Sequence, residues 1–312
     1  MTSAHLSLSV AAGERRAILW TRLLRRATPW LFSLPAVVFV AMFFGYPIVQ
    51  NVVMSFQEYT TSTFYSGEAP WVGLANYVTI LSSYLFTTTL VNTALFTIGS
   101  ITFQFVIGLA LALFFRRNFP LSGFLRAMLL LPWLIPLIAS SAVWKWLLDQ
   151  ESGALNQFLG LFGVSAVPWL VDPTLALAGV IGVNIWLGIP FNVAILYSGL
   201  QAVPRELYEA GSLDGATGWK AFRHITWPNL RPVVSVVIVL GVVYTLKVVD
   251  IILGLTGGGP ANSTQTLATN AYNKSFVEFN FGEGAAISNV LIVVSLAFAL
   301  VYLYLSRREP SE

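Results

Sequence analysis

Six long stretches of the chain carry no charged side chain: residues 27–57, 69–115, 127–144, 173–204, 232–246 and 284–306. A helix needs about 20 mostly apolar residues to cross the hydrocarbon core of a bilayer. Five stretches reach or approach that length, and the fifth in order does so if Lys247 and Asp250 lie at its outer end. The pattern therefore predicts an all-α integral membrane protein with six transmembrane helices, over 31–50, 88–115, 127–148, 174–198, 230–252 and 285–305. The first is read as a span and not as a cleaved leader. It is long, continues through Tyr46-Pro47-Ile48, and has no small-residue cleavage site after a short apolar core.

Between the fourth and fifth spans the pattern changes. The segment Ala202 to Pro232 is too long for a hairpin and too regular for a linker. Pro204 suits the first turn of a helix, where a missing N–H costs nothing, and Arg205 to Leu213 reads as a short helix with Leu207 and Ala210 along one side. Asp214-Gly215 breaks it, the Asp capping the next helix and the Gly permitting the turn. Thr217 to Thr226 predicts a second short helix with Trp219, Phe222 and Ile225 on one face, ended by Pro228 and Pro232 before span five. Taken by itself, the segment also fits an amphipathic connector lying in the membrane plane.

Composition strengthens the membrane reading. Hydrophobic residues are 56% of 312 and charged residues 10%, too few charges to wet a soluble surface of this size. The net charge of +3 is a topology signal, not a nucleic-acid surface. The N-terminal tail, 116–126, 199–231 and the C-terminal tail hold five, three, four and two Lys/Arg, fourteen of the chain's seventeen. By the positive-inside rule these segments are cytoplasmic, with both termini inside. The predicted layout is a cytoplasmic tail over 1–29, a transmembrane domain over 30–306 that contains the segment 202–231, and a cytoplasmic tail over 307–312.

Catalytic chemistry has little to work with. There is no cysteine and there are only two histidines, His5 and His224, so thiolate sites and histidine metal cages are excluded. Gly257-Gly258-Gly259 leads into Pro260 without the Lys-Ser/Thr of a phosphate loop. No catalytic or metal site is assigned, and energy for transport must come from another chain or from an ion gradient.

Glu209-Ala210-Gly211, three residues, Gly215, nine residues from Ala216 to His224, then Ile225 and Pro228 resemble the EAA motif of ATP-binding-cassette (ABC) importer permeases. Gly211 and Trp227 stand where that pattern has Ala and Leu. Trp71 to Tyr77, Asn92-Thr93, Asp250 with Leu255 to Pro260, and Phe281 to Ala286 resemble the carbohydrate-uptake, MalF-like branch, so the likeness runs from about residue 30 to 306. The resemblance implies a type I importer permease (MetI-like) fold in a bacterial or archaeal cytoplasmic membrane. Its two cytoplasmic coupling helices would sit in a cleft of a separate ATPase dimer. ATP and Mg would be bound there, so the chain itself is no enzyme and holds no cofactor. The implied coupling residues are Glu209, Ala210, Gly211, Asp214, Gly215, Ala216, Trp219, Phe222, Ile225 and Pro228. Further implied partners are a second permease subunit, an extracytoplasmic solute-binding protein docking on loops that include 51–87 and 254–284, and a sugar solute, with no nucleic acid.

A sugar pathway needs hydrogen-bonding groups and aromatic faces, and buried polar residues in spans tend to face a pathway or a helix interface. Span four offers Asn184, Trp186 and Asn192 around Pro190, expected to break the helix; span five offers Tyr244, Lys247 and Asp250. Lys247 and Asp250 also suit a structural ion pair, and Asn92 and Gln104 in span two suit helix–helix glue. Di- or oligosaccharides fit first, because a glycerol-phosphate-type solute would want more cations than Lys247. An ion-driven secondary transporter would show carboxylates within spans one to four, and their cores hold no Asp or Glu. A membrane enzyme would need a catalytic cluster, and Asp149, Glu151 and Asp172 lack His or Arg company.

Overall fold

The computed structural model describes residues 30, 32–117 and 119–307. The expected tail 1–29, and all of the expected tail 307–312 except Arg307, lie outside the described residues. The chain divides into two units, residues 1–53 and 54–312. All of helix α1, Phe32–Met54, but its last residue lies in the first unit; it is long and apolar enough to cross a membrane, with a π-turn at Ala41–Gly45 and no buried residue.

The second unit is helical throughout its regular structure. Four further helices meet the length and apolarity of a span: α3 (Tyr84–Phe115), α6 (Ala176–Gln201), α8 (Trp219–Leu246) and α11 (Phe281–Arg307). The short helix α2 (Ala75–Ser82) precedes α3. The third predicted span is not a straight rod. It is α4 (Ser122–Leu134) and α5 (Leu137–Leu147), bent by 99° at Ile135-Pro136, so the described residues hold five spans, or six if this pair is one broken span. The cause is local: the ring of Pro136 drives Ile135 to ψ 132°, which ends the first helix. Span five also ends sooner than expected. It stops at Leu246, and after an unwound Lys247-Val248-Val249 the chain resumes as α9, Asp250–Leu255, followed by α10, Leu267–Tyr272.

Pro190 does not break span four; α6 runs unbroken from Ala176 to Gln201. Its closest partner is α3. The buried positions of α3 are Thr89, Asn92, Thr93, Phe96, Thr97, Ser100, Gln104, Gly108, Ala112 and Phe115, spaced at three and four. That stripe is the polar side of the helix, and the exposed large side chains are apolar, among them Leu90, Leu95, Ile98, Phe103 and Val106. Lipid already satisfies apolar side chains, so in a membrane small and polar groups gain most by facing another helix. At the crossing, a Cβ on Gly108 would lie 2.6 Å from the Cβ of Asn192, so only glycine allows this approach.

Two apolar clusters close the ends of this bundle. Phe96, Leu148, Val180, Val183, Leu187, Ile251, Ile252 and Leu255 join α3, α5, α6 and α9 at one end. Ala112, Leu196, Leu200, Leu230, Val234 and Val237 join α3, α6 and α8 at the other. The glycine-rich run after α9 is held by α3. Asn92 Nδ2 donates to the carbonyls of Asn262 (3.1 Å) and Gln265 (3.0 Å), and Thr93 Oγ1 accepts from the Leu267 N–H at 2.9 Å. Asn92 therefore acts as glue between a span and a loop.

Candidate functional site

Where α3, α4, α6, α8 and α9 converge, between the two clusters, they enclose a cavity of about 520 Å³. Its walls include Gln104 from α3, Trp133 from α4, Asn184, Gly188 and Phe191 from α6, Tyr244 and Thr245 from α8, then Lys247 and Asp250. Three aromatic rings follow one another along it: Trp133 and Phe191 have centroids 6.2 Å apart, Phe191 and Tyr244 5.9 Å. Lys247 Nζ sits 4.7 Å from the centroid of Tyr244, an arrangement in which the ring's negative face attracts the cation. Among the described residues Lys247 and Asp250 form no ion pair with each other, so the expected structural bridge is absent.

Asn184 is the most telling member. Its residue is 5% exposed, and its Nδ2 has no hydrogen-bond partner among the described residues. A buried amide without a partner costs about 1–3 kcal/mol, so it is a group waiting for an acceptor. The backbone carbonyl of the same residue accepts from Gln104 Nε2 at 2.8 Å. Gln104 can reach it because Gly188, one turn along α6, leaves the space that a side chain would fill.

Four of the six pathway residues expected from sequence thus meet in one cavity: Asn184, Tyr244, Lys247 and Asp250. Two do not. Trp186 turns away and packs edge-on to Trp144 at 5.3 Å, within the apolar cluster. Asn192 faces α3 and donates to the carbonyl of Gly188 at 2.9 Å. Gln104, read as glue, both glues and lines the wall. Trp133 and Phe191 escaped notice because single aromatics in an apolar run carry no periodic signal.

At the other end of α6 the distinctive segment folds as two elements. Helix α7 spans Arg205–Leu213, the bounds expected from sequence, and Gly215 turns the chain with φ +75°. Asp214 is the C-cap of α7 and does not cap the next helix, which starts after Gly218. The second element is not a separate short helix. Trp219 to Ala221 continues through a π-turn, Phe222–Thr226, into span five, so Pro228 and Pro232 do not end it. Pro228 is tolerated because it falls in the first turn of the regular helix after the π-turn.

The apolar face differs from expectation as well. Trp219 stacks on Phe222 at 5.1 Å and is 72% exposed, and Leu213 is 89% exposed. Ile225 points inward onto Gly211; a Cβ there would lie 2.5 Å from Ile225 Cδ1. The bare surface is therefore Leu213 and Trp219, with Glu209, Ala210, Asp214 and Gly215 exposed nearby. Ala216 is half-buried and Pro228 exposed. Two contacts tie the segment to the bundle. Tyr208 Oη and Thr226 Oγ1 lie 2.9 Å apart, and the Arg116 guanidinium, at the end of α3, lies 4.0 Å from the centre of the Tyr208 ring.

Residues 104–309 match the family model described as "Binding-protein-dependent transport system inner membrane component". The chain is 35% identical over 278 residues to the "Trehalose/maltose transport system permease protein MalF" of Thermococcus litoralis, covering 89% of this chain and 93% of that one. It is 31% identical over 303 residues to the "Sulfoquinovosyl glycerol transport system permease protein SmoG" of Agrobacterium fabrum, covering 96% and 98%. In fold it resembles a chain of a bacterial ABC transporter involved in the import of the acidic polysaccharide alginate, with TM-score 0.81, 23% identity, and 94% and 99% of the two chains covered. The chain is a multi-pass membrane protein of the binding-protein-dependent transport system inner membrane component family, the permease subunits of ABC transporters.

Proposed function

We propose that this chain is the membrane-spanning subunit of an ATP-driven importer that carries a sugar into the cell, working with a second permease, a separate ATPase dimer and an extracytoplasmic binding protein. ATP and Mg belong to the ATPase, and the chain supplies the path and the lever. The observation that carries the reading is the pair of elements broken at Gly215, with Leu213 and Trp219 bare beside Glu209. Large apolar side chains left in water beside polar ones mark a protein docking surface.

The lever is direct because the second element is continuous with span five, whose far end carries Tyr244 and Thr245 on the cavity wall. A push on Trp219 is thus a push on the cavity. Closure of the ATPase would turn the spans outward to accept solute from the binding protein, docked on loops including 51–87 and 254–284, and hydrolysis would reverse the motion. Both termini then lie in the cytoplasm, with residues 30–306 as the transporting domain.

The cavity chemistry supports a sugar. Ring faces stack against the apolar C–H surface of a pyranose, while Asn184, Gln104, Thr245 and Asp250 offer a donor and acceptors to hydroxyls. The sugars in the relatives' names agree with this. A phosphorylated solute fits less well, since the one cation on the wall, Lys247, is matched by Asp250. The test is uptake of labelled sugars in cells carrying the complete transporter. Glu209→Ala and Gly215→Pro should abolish uptake while the protein still reaches the membrane. Normal uptake by both variants at matched expression refutes the coupling assignment.

A further inference from the structure

A second cavity, about 650 Å³, opens at the end of the bundle that carries α7. It is lined by Arg116, Tyr197, Gln201, Arg205, Tyr208 and Glu209 among others. Apart from Glu209, its polar walls have no role in the transport reading. Two guanidinium groups, Arg116 on the wall and Arg126 against the wall residue Tyr197, are held face-on by aromatic rings. Arg116 lies over Tyr208 at 4.0 Å, and Arg126 lies over Tyr197 at 4.6 Å while donating to its hydroxyl. Gln201 Nε2 donates to the same hydroxyl at 2.7 Å, which fixes that ring in turn. Stacking of this kind occupies the flat face of a guanidinium and leaves N–H groups at its edge free to donate.

Among the described residues these cations form no ion pair: both ion pairs belong to Lys274, and none involves Arg116, Arg126 or Arg205. Glu209 is the one acid on the cavity wall, against Arg116 and Arg205. Positive charges gathered around a polar hollow repel one another, and a multivalent anion relieves the repulsion. Arginine's planar fork matches the spacing of two oxygens on a phosphate, giving two parallel charge-assisted hydrogen bonds.

We propose that this cavity binds a phosphate group, carried by a phospholipid headgroup or by a soluble phosphate. Bound there, the group would bridge Arg116, at the end of α3, to Arg205, at the start of α7. It would tie the moving element to a fixed span and so act as a brake or a seat for α7. The inference does not depend on which solute crosses the membrane, because its readout is binding.

The experiment uses the full chain in two kinds of lipid nanodisc. In discs of an uncharged, phosphate-free galactolipid, binding of radiolabelled inorganic phosphate is measured; in discs containing phosphatidylglycerol, retained anionic lipid is counted by native mass spectrometry. One saturable site per chain is expected in at least one arm. Its affinity should fall at least about tenfold in R116Q/R205Q, the loss of charge-assisted hydrogen bonds, and stay unchanged in R223Q, an exposed arginine outside the cavity. Arg205 is exposed on a helix surface, so R205Q alone carries the test if the double variant does not fold. Binding only in the first arm assigns a soluble phosphate, binding only in the second a headgroup, and binding in both the phosphate group itself. Absence of a saturable site in both arms, or binding by R205Q equal to the parent protein, overturns the proposal.

Discussion

Gly188 is where span four admits the side chain of span two, and replacing it gives a sharp prediction. An alanine Cβ there would fall inside the van der Waals envelope of the Gln104 carboxamide. Carbon atoms rest about 3.5–4.0 Å apart, so the amide must withdraw by about 1 Å or more. Its 2.8 Å bond to the Asn184 carbonyl would not survive that movement. The lost buried hydrogen bond costs about 1 kcal/mol and the overpacking a further 1–3 kcal/mol, so Gly188→Ala should destabilise by about 2–4 kcal/mol. The assay is thermal unfolding of purified protein in detergent, followed by size-exclusion recovery. Gly188→Ala should lower the midpoint by several degrees. Gln104→Ala removes the obstructing amide, so the double variant should be about as stable as Gln104→Ala alone. Strictly additive losses would refute the packing described for the cavity wall, because they would mean that the two side chains do not meet.

Other consequences follow from the same geometry. Asn92→Ala leaves the carbonyls of Asn262 and Gln265 without their donor; it should destabilise by about 1–3 kcal/mol and speed protease cleavage in 256–266, whereas an unchanged cleavage rate would count against the tie. Gly108→Ala meets the Cβ of Asn192 and should lower the unfolding midpoint through about 1–3 kcal/mol of overpacking, as the same recovery assay would read. Lys274 is paired with Glu278 at 2.7 Å and Glu283 at 3.0 Å. Burial alone would lower its pKa, but hydrogen bonds and charge from the two carboxylates outweigh burial and raise it above the usual 10.5. A raised cation contributes stability that is complete below 10.5 and is lost as pH rises beyond it. The stability gap between the parent and Lys274→Met should therefore stay constant from neutral pH to about 10 and shrink above that; a gap that shrinks already between pH 7 and 9 would contradict the pairing.

Much of the architecture is legible from charge-free runs, because a bilayer enforces length and apolarity on every span. What escapes is decided by single prolines and by helical phase. The break at Ile135-Pro136 lies in a run whose composition reads as one continuous helix, while Pro190 and Pro228 suggest breaks that do not form. A proline ends a helix only where its neighbours cannot take up the freed carbonyl or where its position needs an N–H. Phase explains the mixed outcome in span four. Asn184 and Asn192 are eight residues apart, about 80° around a helix, and Trp186 lies about 200° from Asn184. One asparagine can face the cavity only if the other faces α3 and the tryptophan faces the cluster behind. The segment 202–231 was more legible, since Arg205–Leu213 and the Gly215 turn follow from local residue chemistry. The inward turn of Ile225 was not, because it depends on the small residue at Gly211 across the turn.

The claim at the centre of the account is that Leu213 and Trp219 form the seat of a separate ATPase. The chain has no cysteine, so one introduced thiol reports a single place. The direct measurement is photo-cross-linking from a benzophenone maleimide attached to Trp219→Cys in native membranes, with Phe64→Cys, exposed on the short helix Thr61–Ser66 between α1 and α2, as the reference. The account predicts a product containing the ATPase for the thiol at position 219 and none for the thiol at 64. A co-purifying ATPase that cross-links to neither position, or only to position 64, would contradict it.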